Sequence, residues 1–383
     1  MVSMHPALVL SSPGLMRPER VPTKHPQAGE ILVAPLRASI CGSDLDLLRG
    51  SRPIGTRILG HEGIAEIVEV GPGPTPFAVG QRVTFLPNNP TNVEDILGVS
   101  TEGLFQRALL ISQPALERGM VIPCDPALPL VCGPLLEPFA TVLYGQHLVE
   151  QAYQPKSMVV VGAGAIGLLN ILAAQAHGCS QIFLVDTSRA RLDWAVRRGI
   201  VDPSSALLNS PQLAETLLEH TNGRGVDVVY ICTPRTATRS VLEQALYMVR
   251  EEGCINLTAG TDSREPLAAL PGVDLNQVRH ANVCGLGQQV THCVTREGKP
   301  VFLTGHSGAS TSYLQEAMGL LLTNPTTYAK VISHVVSYRA VPRVVEALLA
   351  SEAHRQSEAP YVKVIIDLTT EDLAIEEFDP HRL

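Results

Sequence analysis

The sequence predicts an α/β protein in two parts: a β-rich domain, and a doubly wound parallel sheet covered by helices on both faces. Three observations carry this expectation. Up to about residue 147, short apolar runs alternate with Pro- and Gly-rich turns. From about 148 to 328, apolar runs without polar alternation are separated by helix-like stretches. The last strand-like run, Tyr361–Asp367, follows this second part and suits the first. The β-rich domain is therefore expected to be discontinuous, over 1–147 and 329–383, with 148–328 inserted as the second domain.

In the first part the strand candidates are Ala7–Leu10, Ile31–Ala34, Gly63–Val70 and Gly80–Phe85, with turn residues such as Gly71-Pro72-Gly73-Pro74 between them. This pattern suits a small barrel or irregular sheet. In the second part Ser157–Val161 has no polar alternation, as a strand buried on both faces should not. A helical stretch, Ile166–Ala176, and a second buried strand, Gln181–Asp186, follow. Val226–Ile231, Cys254–Leu257 and Asn282–Gly285 are further strand candidates. Strand alternating with helix implies a parallel sheet.

Composition narrows the function. The chain has 383 residues, which suits two domains at about 150 residues each. Hydrophobic residues at 45% and charged residues at 17% are the balance of a folded protein. A net charge of −8 and an aromatic content of 4% disfavour phosphate backbones and base stacking, so no nucleic-acid partner is expected. No run approaches the roughly 18 apolar residues of a membrane helix. The first residues lack the basic and apolar regions of a signal peptide, so a cytoplasmic protein without a membrane partner is expected. The eight cysteines form no C-x-x-C pair and no dense framework, and read mostly as buried thiols.

The second part carries a dinucleotide signature. Gly162-Ala163-Gly164-Ala165-Ile166-Gly167 is a G-x-G-x-x-G directly after a buried strand and at the start of a helix, the context such a motif requires. The first glycine permits a tight turn, the second lets the backbone approach a pyrophosphate, and the third lets helix and strand pack closely. Asp186 follows Gly167 by 19 residues at the end of the next strand. A carboxylate there accepts hydrogen bonds from ribose hydroxyls and repels a 2′-phosphate, which favours NAD over NADP. These features define a Rossmann domain.

The first part holds metal-compatible side chains in three places: Cys41-Gly42-Ser43-Asp44, Gly60-His61-Glu62 and Glu137-Pro138. Cys, His and Glu suit a catalytic zinc with one open position. Spacing alone leaves plainer readings open, since a single Cys is usually core, a single His structural and a single Glu solvated.

Taken together, Ser39-Ile40-Cys41-Gly42-Ser43-Asp44, Gly60-His61-Glu62-Gly63, Leu136-Glu137-Pro138 and the Gly162–Gly167 fingerprint resemble the zinc-containing medium-chain dehydrogenase/reductase family, in the family's order. Val185–Arg191, Gly225–Val229 and Val362–Ile365 are also similar to it, so the resemblance covers nearly the whole chain. The Glu-Pro at 137–138 is similar to the sorbitol, threonine and sugar dehydrogenase branch, where liver-type alcohol dehydrogenases carry a Cys.

The resemblance implies a GroES-like catalytic domain and an NAD-binding Rossmann domain. It implies one catalytic zinc per chain, with Cys41 and His61 as ligands and with Glu62 and Glu137 as acidic positions that bind the metal directly or through water. Asp44 is implied to orient the His ligand, Ser43 to take the substrate proton, and Arg191 to lie near the adenine end of the cofactor. The cofactor set is then Gly162, Gly164, Ala165, Ile166, Gly167, Asp186 and Arg191.

Two departures from the family pattern stand out. No cysteine occurs between Cys41 and Cys124, so the four-cysteine structural zinc lobe of many relatives is not expected. Asp46 stands where many relatives have a His that passes the proton to solvent; a carboxylate could serve the same relay, bind a polar substrate, or be a loop acid.

The expected activity is an NAD-dependent alcohol or polyol dehydrogenase acting on CH–OH groups, with a polyol, cyclitol or sugar-like substrate, in a homo-oligomer (dimer or tetramer). The alternatives are a zinc-free quinone or enoyl reductase on the same fold, and a non-catalytic dinucleotide-binding protein. The joint presence of Cys41, His61 and Glu137 weighs against both.

Overall fold

The computed structural model describes residues 3–12, 14–51, 54–151, 153–261, 266–350 and 359–383. The chain divides into two compact units. One holds the residues up to Ala140, the segment from Ser310, and the C-terminal stretch from Lys363; the other holds Thr141–Ala309 and a short segment ending at Val362.

The joins thus fall at 140/141 and 309/310, whereas composition places them near 147 and 329. Packing accounts for the difference. The helix Leu136–Glu150 is anchored in the second unit from Thr141 onward, where the carbonyls of Thr141 and Gly145 accept hydrogen bonds from His306 and Asn256. The helix Thr311–Thr323 belongs with the first unit, where Met318 sulfur accepts the Asp125 amide. Tyr328 likewise packs against Phe139, with tilted rings whose centroids are 4.6 Å apart.

In the first unit the main sheet runs Ile375–Glu377, Ile332–Ser337, Lys363–Asp367, Ile31–Ser39, Gly63–Val70, Arg82–Phe85, Val121–Pro123. Leu109–Ile111 pairs with the opening residues of the Ile31–Ser39 strand. The end of that strand is flanked by Lys363–Asp367 on one side and Gly63–Val70 on the other, both antiparallel. Three strand termini therefore meet at one place: Ser39 leaving its strand, Gly63 entering the next, and Lys363 opening the third. In the stretch where relatives carry the cysteine lobe, a small hairpin pairs Asn88–Asn89 with Asn92–Ile96, and Asn89 donates to Asp95 at 2.8 Å.

The second unit is a seven-stranded sheet. Six strands are parallel, in the order Ala206–Leu208, Gln181–Asp186, Ser157–Val161, Val226–Ile231, Val249–Leu257, Pro300–Gly305. Its central strands are buried runs of Val, Ile and Leu, as a sheet covered on both faces requires. Asp227 ties the start of the sheet together, accepting the amides of Lys156 and Ser157 and the Arg250 guanidinium at 2.7–2.9 Å.

The expected strand Asn282–Gly285 is instead a turn. Cys284 and Gly285 have φ of +53° and +73°, which no strand residue adopts. The buried Asn282 side chain holds this turn by bonding Gly305 and Gln289. Beyond it, Thr291–Val294 folds back antiparallel on Pro300–Gly305 and forms the sheet edge. The hairpin between them is closed where the Thr295 amide donates to the Lys299 carbonyl at 2.9 Å, and the Lys299 ammonium bonds the Leu246 and Val249 carbonyls. No helix among the described residues is long and apolar enough to cross a membrane.

Candidate metal centre and cofactor site

The strand Ile31–Ser39 runs directly into the short helix Gly42–Leu48, which places Cys41 at the helix cap. Asp44 closes the first turn by accepting the Cys41 amide through Oδ2 at 2.9 Å. Its other oxygen, Oδ1, faces His61 Nδ1 at 3.5 Å. Asp44 therefore does two things: it closes the first turn of the helix, and it sits behind the imidazole. Its carboxylate orients the ring with Nε2 toward Ser43, whose Oγ lies 3.3 Å away.

Ligand atoms of Cys41, His61 and Glu62 lie within 4.8 Å of one another. A thiol, an imidazole and a carboxylate gathered so closely are a donor set suited to zinc. Two further features fit a cation. Buried Asp44 Oδ1 and His61 Nδ1 have no hydrogen-bond partner, so the carboxylate–imidazole pair is poised rather than satisfied. Burial opposes a charge on His61, but the Asp44 carboxylate and then Cys41 more than offset it, and the imidazole is held well above the ordinary histidine range. Burial pushes the Cys41 thiol up, and the Glu62 charge adds to this. The rise at Cys41 is mainly desolvation and the rise at His61 mainly the Asp44 carboxylate, so a buried thiol and a carboxylate-backed imidazole face one another here.

Glu62 has partners of its own. Its Oε2 accepts hydrogen bonds from the Ser39 hydroxyl and from the Lys363 ammonium, and all three side chains are buried. Glu137, in the first turn of the Leu136–Glu150 helix, is not one of the three clustered donors. Asp46 lies one turn beyond Ser43 on the same short helix, with Oδ1 3.7 Å from Arg49.

The glycine turn in the second unit has the form a pyrophosphate needs. Gly162 has φ of +116°, and a Cβ there would lie 2.5 Å from the Cys232 carbonyl. A Cβ on Gly167 would lie 1.9 Å from the Gly162 carbonyl, whereas one on Gly164 would meet nothing within 4 Å. The backbone at Gly164 is thus open to a ligand, at the cap of the helix Ala165–Ala176, whose opening turn contains Ala165 and Ile166. Asp186 stands beside this turn and accepts the amides of Ala163 and Ser188, each at 2.7 Å. Arg191 is capped by the Ser188 hydroxyl and reaches the Tyr361 carbonyl at 3.4 Å.

Sequence reading misses Ser39 and Lys363. The signal for Lys363 is a lone cation inside the apolar run Tyr361-Val362-Lys363-Val364-Ile365-Ile366, which calls for a buried partner. Ser39 has no comparable signal.

Comparison with known proteins agrees with the geometry. Residues 27–118 match the alcohol dehydrogenase GroES-like domain, and residues 165–296 match the zinc-binding dehydrogenase domain. The chain is 26% identical over 362 residues to an uncharacterized zinc-type alcohol dehydrogenase-like protein of Haemophilus influenzae, covering 89% of this chain and 94% of that one. It is 29% identical over 255 residues to an L-threonine 3-dehydrogenase of Pyrococcus furiosus, covering 61% of this chain and 69% of that protein. The structure of a putative zinc-binding dehydrogenase from Sinorhizobium meliloti 1021, bound to NADP, superimposes with a TM-score of 0.70 over 96% of this chain and 100% of that one. At 21% identity this last likeness bears on the fold. Both domains, the order of the motifs and the two sheets lead to one conclusion: the chain belongs to the zinc-type medium-chain dehydrogenases, a family of alcohol dehydrogenase-like oxidoreductases.

Proposed function

We propose that this protein is a zinc-dependent, NAD-linked dehydrogenase that oxidises a polar secondary alcohol reversibly to its carbonyl compound. The observation that carries the reading is the Cys41–His61–Glu62 cluster, with Asp44 behind the imidazole and Ser43 in front of it. In this reading the first unit does the metal and alcohol chemistry and the second holds the dinucleotide.

Cys41 and His61, with a carboxylate from Glu62 or Glu137, are the residues that would hold zinc. Zinc supplies Lewis acidity, which makes an alcohol proton easier to lose, and NAD supplies the hydride acceptor. The chain's own residues do the rest. Asp44 fixes the tautomer and direction of His61. Ser43 Oγ, beside His61 Nε2, accepts the hydroxyl proton as it gives up its own, and the Asp46 carboxylate takes the released proton and passes it to solvent. Gly164 and the helix cap receive the pyrophosphate, and Asp186 the ribose.

A polar substrate is supported by Glu137 in place of a third cysteine, by the second carboxylate at Asp46, and by the threonine dehydrogenase relative, whose substrate is a secondary alcohol on a charged molecule. A site built to bond several hydroxyls rejects analogues lacking them, at about 1–3 kcal/mol per unpaired buried group. The test is NADH formation by zinc-loaded protein on polyols, aminocyclitols, sugars, 3-hydroxy amino acids and short aliphatic alcohols. Polyhydroxylated or amino-alcohol substrates are expected to give the highest kcat/KM. Faster turnover of ethanol or hexanol than of every polar candidate would overturn the substrate class, and no turnover of any alcohol would overturn the activity.

A further inference from the structure

A pocket in the second unit lies at the opposite end of the sheet from the glycine turn. The helices Leu136–Glu150 and Ala165–Ala176 both end beside it, and Met158, near the start of its strand, lines it. Its volume is about 280 Å³, partly open to solvent. That is below the roughly 300–1,000 Å³ of organic ligand sites, and enough for an ion with its waters.

Three side chains bring ligand atoms to it. Glu150 ends the first helix, and its Oε1 lies 3.3 Å from Nδ1 of His177, the residue capping the second. Gln146 stands one turn before Glu150 on the same helix face and is 3% exposed. Its Nε2 donates to Asn170 twice, to the carbonyl at 2.8 Å and to Oδ1 at 3.4 Å. The Asn170 carbonyl can only accept, which fixes the Gln146 amide and leaves its Oε1 buried with no partner. A buried acceptor left unpaired is costly and calls for a donor or a cation. The field favours a cation, because two helix C-termini and one carboxylate meet here. The 3.3 Å between Glu150 and His177 is also close to the separation of two ligands about 2.0–2.1 Å from one metal at a tetrahedral angle.

We propose that His177, Glu150 and the Gln146 amide oxygen form an exchangeable site for a divalent transition cation, separate from the Cys41–His61–Glu62 cluster. An imidazole, a carboxylate and an amide suit zinc or nickel, whereas magnesium prefers oxygen ligands alone. The cation takes the place of the proton between Glu150 and His177, which passes to solvent. With no thiolate and an exposed imidazole, the site empties on dialysis, so the metal kept by purified protein is that of the first unit. The competing account is an ion pair that joins two helix ends over a trapped water.

The test is calorimetric titration of dialysed full-length protein with zinc, nickel and magnesium chlorides. Zinc and nickel should each give one saturable event per chain, magnesium none, and added zinc should raise the thermal midpoint. His177→Ala and Glu150→Gln should each abolish the event. Their side chains are 32% and 19% exposed, so neither substitution opens the core. Gln146→Leu should weaken binding by about 10–100-fold. Nickel should still bind in Cys41→Ser, which separates this site from the zinc reading above. No event in wild-type protein, an event that survives in His177→Ala and Glu150→Gln, full affinity in Gln146→Leu, an equal response to magnesium, or loss of the event in Cys41→Ser would overturn the inference.

Discussion

One oxygen of Asp186 accepts the backbone N–H of Ala163, inside the glycine turn, while the other accepts the N–H of Ser188. The carboxylate thereby links the ends of two neighbouring parallel strands, Ser157–Val161 and Gln181–Asp186, and braces the turn in the shape a pyrophosphate requires. The residue expected to receive the ribose thus also orders the glycine turn.

Asp186→Ala is accordingly expected to act twice. Losing charged hydrogen bonds to a ribose costs about 1.5–3 kcal/mol, or roughly 10–100-fold in NADH affinity. The thermal midpoint without cofactor should also fall, because the Ala163 amide loses its partner. Fluorescence titration with NADH and NADPH, beside thermal unfolding, checks both. The unmodified protein should prefer NAD, and comparable kcat/KM with NAD and NADP would refute that preference.

The metal centre makes a separate demand. The clustered donors provide for one zinc per chain, and elemental analysis of active protein should find it. Cys41→Ser and His61→Gln should lose the metal and lower kcat by at least about a thousandfold, because Lewis-acid stabilisation amounts to several kcal/mol. Far-UV circular dichroism should stay close to wild type, since the sheet of that unit is held by its own strand pairing. Two zincs per chain, or full activity in either variant, would defeat the assignment.

How far the sequence discloses this site depends on the kind of signal each residue leaves. The glycine fingerprint is legible because two of its glycines face a steric limit, visible as the clashes a Cβ would make at Gly162 and Gly167, and the third leaves its backbone open. Asp44 is legible as a helix-cap residue from its local spacing; its place behind His61 depends on how two strands meet, which spacing does not encode. Lys363 leaves a trace as a charge in an apolar run, but its partner is 301 residues away. The run Asn282–Gly285 misleads because short apolar stretches do not distinguish a strand from a buried turn. What decides it is the Asn282 side chain, whose bonds to Gly305 and Gln289 hold the turn and leave a single parallel bridge between Val283 and Ser307.

The second unit should carry an acid sensitivity centred on His306. Its Nε2 donates to the Thr141 carbonyl at 2.8 Å, its Cε1 would lie 2.5 Å from a Cβ at Gly145, and its buried Nδ1 has no partner. Burial, with the Arg279 charge adding to it, lowers its pKa from 6.5 to about 3, against the bond to Thr141. The folded protein therefore keeps this imidazole neutral, while the unfolded chain protonates it below about pH 6.5. Because the unfolded state binds more protons in this window, stability falls as pH falls from about 6.5 toward 3, by up to ~1.4 kcal/mol per pH unit from this group. His306→Gln keeps a donor for Thr141 and removes the titration. Urea unfolding between pH 7.5 and 5 should show the variant less stable at the upper end, with the gap narrowing or reversing at the lower. Parallel pH profiles would show that His306 does not titrate in this way.

Asp46 offers the sharpest test of the proton path. It lies one helical turn from Ser43, so the two side chains share a face, and it also approaches Arg49 at 3.7 Å. Two roles compete. As a relay, the carboxylate accepts the proton from Ser43, and its removal should matter most when solvent base is scarce. As a surface acid paired with Arg49, it contributes at most about 1 kcal/mol to stability and nothing to rate. Asp46→Asn preserves shape and removes basicity. A relay role predicts a fall in kcat of about tenfold or more, below the range of a sole general base because water can partly substitute. It also predicts a changed low-pH limb of the kcat profile and partial rescue by small exogenous bases. Arg49→Gln is the control: it breaks the ion pair but leaves the carboxylate, so kcat should persist, and a fall in Asp46→Asn alone assigns the effect to the carboxylate. If Asp46→Asn and Arg49→Gln both leave kcat and its pH profile untouched, Asp46 is a surface acid, and the proton leaves Ser43 by another route.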